Sequence, residues 1–143
     1  MPRGRRIDPR GRQVALALGA ARTGLGLGAL FLTRPTLKAL LFGETDAVGR
    51  ALAKLAGGRD LTLGLLTLAA RDDREMLRTI VLGAAVLDAA DSVSLGLAAR
   101  DGDTRLAGLG GVASGGAAAI AGIWAWRRLG QVRRRRRRWP QSR

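Results

Sequence analysis

The sequence predicts an all-α, polytopic membrane protein, with four transmembrane helices in a compact bundle and one short helix lying in the interface. Three observations carry this reading. Apolar stretches of bilayer length recur between short polar connections, arginine clusters flank them at both ends of the chain, and the few charges inside them fall at matching depth. The chain has 143 residues, with 25 Lys+Arg against 11 Asp+Glu. Its mean hydropathy of +0.04 averages a very apolar middle with two basic ends. A chain this long is one domain by the usual size relation. The expected organisation is a basic cytoplasmic tail over 1–12, a transmembrane domain over 13–128 with spans at about 14–33, 52–70, 77–99 and 106–126, and an arginine-rich cytoplasmic tail over 129–143.

Missing residue types narrow the chemistry before any motif is considered. Without Cys there is no disulfide framework and no thiolate metal site. Without His there is no imidazole base, which removes the Ser-His, Cys-His and His-metal constellations. No enzymatic role, catalytic residue, metal or cofactor is therefore expected.

Met1 to Arg12 is basic and broken by Gly4, Pro9 and Gly11, the composition of a disordered tail. Val14 to Leu32 has Arg22 as its sole charge and about 19 residues, or roughly 28 Å of helix, the thickness of a bilayer core. Gly24 and Gly28 form a small-xxx-small pair suited to close helix approach. Arg34-Pro35 ends this span, and Pro35 is placed to start a helix over Thr36 to Phe42 with Leu37, Leu40 and Leu41 on one face. That pattern fits an amphipathic helix in the interface, or equally one packed on the bundle.

Thr45-Asp46 supplies an N-terminal cap for a helix running to Ala70. Its uninterrupted apolar part, Leu61 to Ala70, is too short to span alone, so Arg59 and Asp60 must lie within the membrane if the segment crosses. Arg71 to Glu75 is a charged turn, and Leu77 to Ala99 is the third span, interrupted by Asp88 and Asp91. Asp101-Gly102-Asp103 suits a tight turn. Leu106 to Trp126 contains 21 residues without a charge, with Gly111 and Gly115 at GxxxG spacing. It closes with Trp124 and Trp126 before Arg127-Arg128, an aromatic pair beside cations that marks a membrane interface.

Orientation follows from the cations outside the spans. Both arginine-rich ends and the Arg71, Arg74, Arg78 turn fall on one side; Arg34, Lys38, Arg50, Lys54, Arg100 and Arg105 fall on the other. The positive-inside rule then places both termini on the cytoplasmic side of the membrane. In this topology Arg22, Arg59, Asp60, Asp88 and Asp91 all come to the middle of the bilayer. Each charge there costs on the order of 3 kcal/mol, so the five are expected to turn inward as one ionic network. Asp88 and Asp91 are three residues apart and share a helix face. Three carboxylates against two guanidiniums leave the layer one negative charge, which a proton on Asp88 or Asp91 would balance.

Several of these residues carry a resemblance. Arg22 with its following glycines, Pro35 followed by Leu40-Leu41-Phe42-Gly43, Gly58-Arg59-Asp60 with Leu63-Gly64, and Asp88 with Asp91 are arranged as in an uncharacterised family of small four-helix integral membrane proteins, a domain of unknown function, from GC-rich bacteria. The chain resembles that family over about Val14 to Ala99. The resemblance implies an integral membrane protein and assigns no catalytic residue.

The expected role is structural or accessory, within a membrane assembly or a homo-oligomer. The alternative is a proton or small-cation pathway through the Arg/Asp layer. Arg133, Arg134, Arg135, Arg136, Arg137 and Arg138 form a run that either contacts anionic lipid headgroups or enforces topology. A nucleic-acid partner is not expected, because no folded motif or stacking platform accompanies the run.

Overall fold

The structure, a computed structural model, describes residues 8–40, 42, 46–101 and 105–131. Among these residues it is all-α, with α1 Pro9–Phe31, α2 Thr33–Ala39, α3 Ala47–Ala69, α4 Arg74–Ala98 and α5 Arg105–Gly130. Short 3₁₀ turns, Ala70–Asp72 and Ala99–Asp101, follow α3 and α4.

The first helix begins inside the stretch read above as a disordered tail. Asp8 caps it, accepting from the amides of Arg10 at 2.9 Å and Gly11 at 3.1 Å, and Pro9 has the fixed φ that suits a first helical position. Tertiary packing holds the extra turn: a Cβ on Gly11 would lie 2.8 Å from Arg128 Cβ, so this turn rests directly on α5. The short helix is also displaced from its expected Thr36 to Phe42, starting at Thr33 and ending at Ala39. Pro35 is its third residue, where an amide has no intrahelical acceptor to lose. Thr33 and Leu37 are buried, whereas Leu40 lies beyond the helix and is exposed; Leu41 is outside the described residues.

Asp46 caps α3 by accepting from Gly49 N at 2.7 Å; its neighbour Thr45 is outside the described residues. Asp73 caps α4 through the amides of Glu75 and Met76, both at 3.0 Å, so α3 turns into α4 across a single 3₁₀ turn. The Asp101-Gly102-Asp103 turn lies largely outside the described residues.

Helices pack as two antiparallel pairs, α1 with α3 and α4 with α5, joined chiefly through α1 and α5. Glycines at seven-residue spacing line both pairs. In α1 and α3 they are Gly19 and Gly26 against Gly57 and Gly64: a Cβ on Gly26 would sit 2.5 Å from Leu61 N, and one on Gly57 would sit 2.6 Å from Ala29 Cβ. On α5 they are Gly108, Gly115 and Gly122, whose added Cβ atoms would meet Ala99, Ser92 and Ala85 of the α4 segment at 2.5, 2.6 and 2.9 Å. A seven-residue repeat stays on one face of a pair of helices wound left-handedly, so each seam is continuous.

The core of Ala15, Ala70, Leu77, Val81, Ala125 and Leu129 closes the end of the bundle that carries the start of α1, the α3–α4 turn and the end of α5. Polar contacts reinforce that end: Arg12 donates to Arg71 O at 2.9 Å and pairs with Asp72 at 3.0 Å, while Arg74 donates to Leu129 O at 2.5 Å. Three helical segments, Pro9–Phe31, Arg74–Ala98 and Gly108–Gly130, are long and apolar enough to cross a membrane. With 23 residues α3 matches α1 in length, but Lys54, Arg59 and Asp60 fall in every 18-residue stretch of it, so it does not join them by composition. Large apolar side chains face outward, among them Phe31 at 77%, Leu55 at 71% and Ile120 at 71% exposure. A face of that kind is unusual in a protein surrounded by water alone.

Candidate functional site

The glycine seams place the charges. Arg22 stands three residues after Gly19 and four before Gly26; Asp60 stands in the same relation to Gly57 and Gly64. Both charges therefore lie on the contact face of their helix, flanked above and below by residues without side chains. The close approach this permits brings the Arg22 guanidinium to Asp60, with Nη1 donating to Oδ1 at 2.7 Å.

The other arm of Arg22 crosses to α4. Nη2 donates to Asp88 Oδ2 and lies 3.4 Å from Ala84 O, so one buried side chain ties α1 to both α3 and α4. Arg59 makes a two-pronged contact with Asp91, Nη1 to Oδ1 at 3.1 Å and Nη2 to Oδ2 at 2.5 Å, and Nη2 also stands 3.7 Å from Asp60 Oδ1. The five residues thus form one chain, Asp88–Arg22–Asp60–Arg59–Asp91. Exposure rises along it from 10% for the Arg22 side chain to 41% for Asp91. The planar guanidinium suits both roles, forking between two carboxylates at Arg22 and gripping one bidentately at Arg59. Arg59 Nε is buried and has no hydrogen-bond partner among the described residues.

Space is distributed unevenly about the layer. On the side away from the termini an open cleft of about 390 Å³ has Arg22, Asp60, Asp88 and Asp91 at its floor. Its walls include Leu18 and Leu25 of α1, Leu40 after α2 and Leu95 of α4. On the other side, between Arg22, Asp88, Thr67 and Val81, remains a void of about 10 Å³, barely room for one water. Beyond it the apolar core is closed.

The remaining sequence-derived residues divide. Gly111 and Gly115 pack against Leu95 and Ser92 of α4. Gly24 does not serve helix packing, because an added Cβ would meet nothing within 4 Å; Gly28 faces Thr36 of α2, at 2.8 Å from its hydroxyl, and not another long helix. The expected pair fell two residues to either side of the seam: Gly26 faces α3, and Gly24 is turned about 200° from it at 100° per residue. Trp126 packs on the core beneath Arg78, whose guanidinium carbon lies 4.5 Å from the ring centre, and the exposed Trp124 is covered by Arg128 at 5.2 Å. Both are cation–π contacts. Arg133 to Arg138 lie outside the described residues.

Gly57-Gly58 also reads in the sequence as a place that loosens the helix or allows close packing, and Gly57 does pack closely while Gly58 meets nothing within 4 Å. Gly19, Gly26 and Gly64 were not assigned to helix packing, though the signal was present, since α1 and α3 each repeat a glycine at seven residues with a charge three residues after the first. No protein-family model matches the chain, and neither a curated protein nor a solved structure matches it.

Proposed function

We propose that this is a multi-pass protein of the bacterial cytoplasmic membrane, with four membrane helices, both termini inside, and a structural or accessory role in which the Arg/Asp layer clamps the helix pairs together. One observation carries the reading: Arg22 is buried and holds Asp60 of α3 and Asp88 of α4 at once. In this reading α3 is the fourth span. Its 23 residues extend about 34 Å at 1.5 Å per residue, and its two central charges meet partners on α1 and α4, which removes much of the cost of carrying them into lipid. The family of small four-helix membrane proteins described above is the assignment that goes with it.

A proton or cation pathway is the second reading, favoured by the open cleft that reaches Asp60, Asp88 and Asp91. The closed core and the 10 Å³ void beneath the layer weigh against a continuous path. The deciding experiment compares wild type with Asp88→Asn for proton flux in liposomes and for melting in detergent. No wild-type flux with a clear loss of stability in the variant supports the clamp; flux that disappears in a variant of unchanged stability refutes it. The Arg133 to Arg138 run is proposed to hold anionic headgroups, at about 1 kcal/mol per arginine near the surface.

A further inference from the structure

We infer that the cleft above the ionic layer is a binding site for one monovalent organic cation, a protonated amine or quaternary centre attached to an apolar body. The inference rests on the clamp reading for the integrity of the floor and goes beyond it in giving the cleft an occupant.

Size and lining define the body. A volume of about 390 Å³ falls in the range of small-molecule sites, which are apolar cavities with a few convergent polar groups. Leu18, Leu25, Leu40 and Leu95 supply the apolar walls, and Ser114 of α5 lines the same space.

Charge defines the head. Three carboxylates meet two guanidiniums, so the layer is one positive charge short. Arg59 is held against Asp91 and is not among the residues lining the cleft, so its space meets Arg22 with three aspartates. Asp60 accepts through Oδ1 and Asp88 through Oδ2, and the second oxygen of each takes no donor from the described residues. Those oxygens are not among the buried atoms without a partner, so they are accessible, and a single positive charge at the floor would balance the layer and engage them. A metal ion fits less well, because no three acidic side chains among the described residues are grouped to hold one. The closed core below makes the cleft a blind pocket, a geometry for holding a molecule.

Tetraphenylphosphonium and tetraphenylborate test this, being alike in shape and opposite in charge. Calorimetric titration of the full-length protein in detergent should show saturable, one-to-one binding of the phosphonium, with the borate weaker by about tenfold or more. Asp88→Asn should weaken phosphonium binding by about tenfold or more through loss of a charged partner. That variant also disturbs the clamp, so Ser114→Trp provides the second arm. Ser114 is exposed and outside the ionic network, and the indole would fill the cleft. Phosphonium binding should disappear in Ser114→Trp while its melting stays at the wild-type value. Equal binding of the two probes would assign the cleft to a lipid chain and overturn the inference, as would no saturable binding or binding undiminished in Ser114→Trp. Loss of stability in Asp88→Asn without phosphonium binding by wild type would sink the cation site and leave the clamp standing.

Discussion

Gly26→Ala, set beside Gly24→Ala, tests the close-packed seam that positions the ionic layer. The two positions are two residues apart in one helix and differ by one methyl group from wild type, so intrinsic helix propensity shifts equally, by up to about 1 kcal/mol in favour of alanine. Their surroundings differ. At Gly26 the new Cβ would lie 2.5 Å from Leu61 N and 2.7 Å from Gly57 O, both backbone atoms that no rotamer change can move. Reaching an ordinary contact of 3.4 Å requires α1 and α3 to separate locally by about 0.9 Å, the difference between 3.4 and 2.5. A gap of that size forfeits a quarter to a half of each van der Waals contact it opens, and it would stretch the 2.7 Å bond from Arg22 to Asp60. Overpacking of this kind costs about 1–3 kcal/mol, which outweighs the propensity gain. At Gly24 nothing lies within 4 Å, so alanine there should be neutral or slightly stabilising. Unfolding of the full-length protein in mixed detergent, followed by far-ultraviolet circular dichroism, reads both variants against wild type. A Gly26→Ala protein as stable as wild type, or a Gly24→Ala protein destabilised to the same degree, would refute the seam.

Three further outcomes follow from the contacts described. Arg22→Gln should destabilise by about 3 kcal/mol, because Asp60 and Asp88 would be left buried without their cation; combining it with Asp88→Asn should recover part of the loss, and a purely additive double variant in the same unfolding assay would show that the pair is not coupled. Arg59→Lys should cost less, about 1 kcal/mol or below, since an ammonium cannot grip Asp91 with two prongs but Asp91 is 41% exposed; a loss as large as that of Arg22→Gln would contradict the burial order within the layer. Asp73→Ala should cost about 1 kcal/mol by removing the acceptor for Glu75 N and Met76 N, with faster amide exchange at those two positions in hydrogen-exchange mass spectrometry; unchanged exchange there would remove the cap.

Much of this architecture is legible in the residues alone, for local reasons. Apolar run length and capping residues act within a few positions of one another, so α3 was expected from Asp46 to Ala70 and runs Ala47–Ala69, and α4 was expected from Leu77 to Ala99 and runs Arg74–Ala98. Antiparallel connection of such helices also brings charges near their centres to one depth, which is why Arg22, Arg59, Asp60, Asp88 and Asp91 could be singled out together. Tertiary structure decided the rest, because a linear sequence carries no record of how each helix is rotated about its axis. Rotation selects Gly26 over Gly24 for the α1–α3 seam, and it gives Arg22 to Asp60 and Asp88 while giving Arg59 to Asp91. It also leaves the layer open to a cleft on one side and sealed by Leu77 and Leu129 on the other. The start of α1 belongs with these: Pro9 to Arg12 looks like tail by composition and becomes helix because Gly11 lets that turn lie against α5.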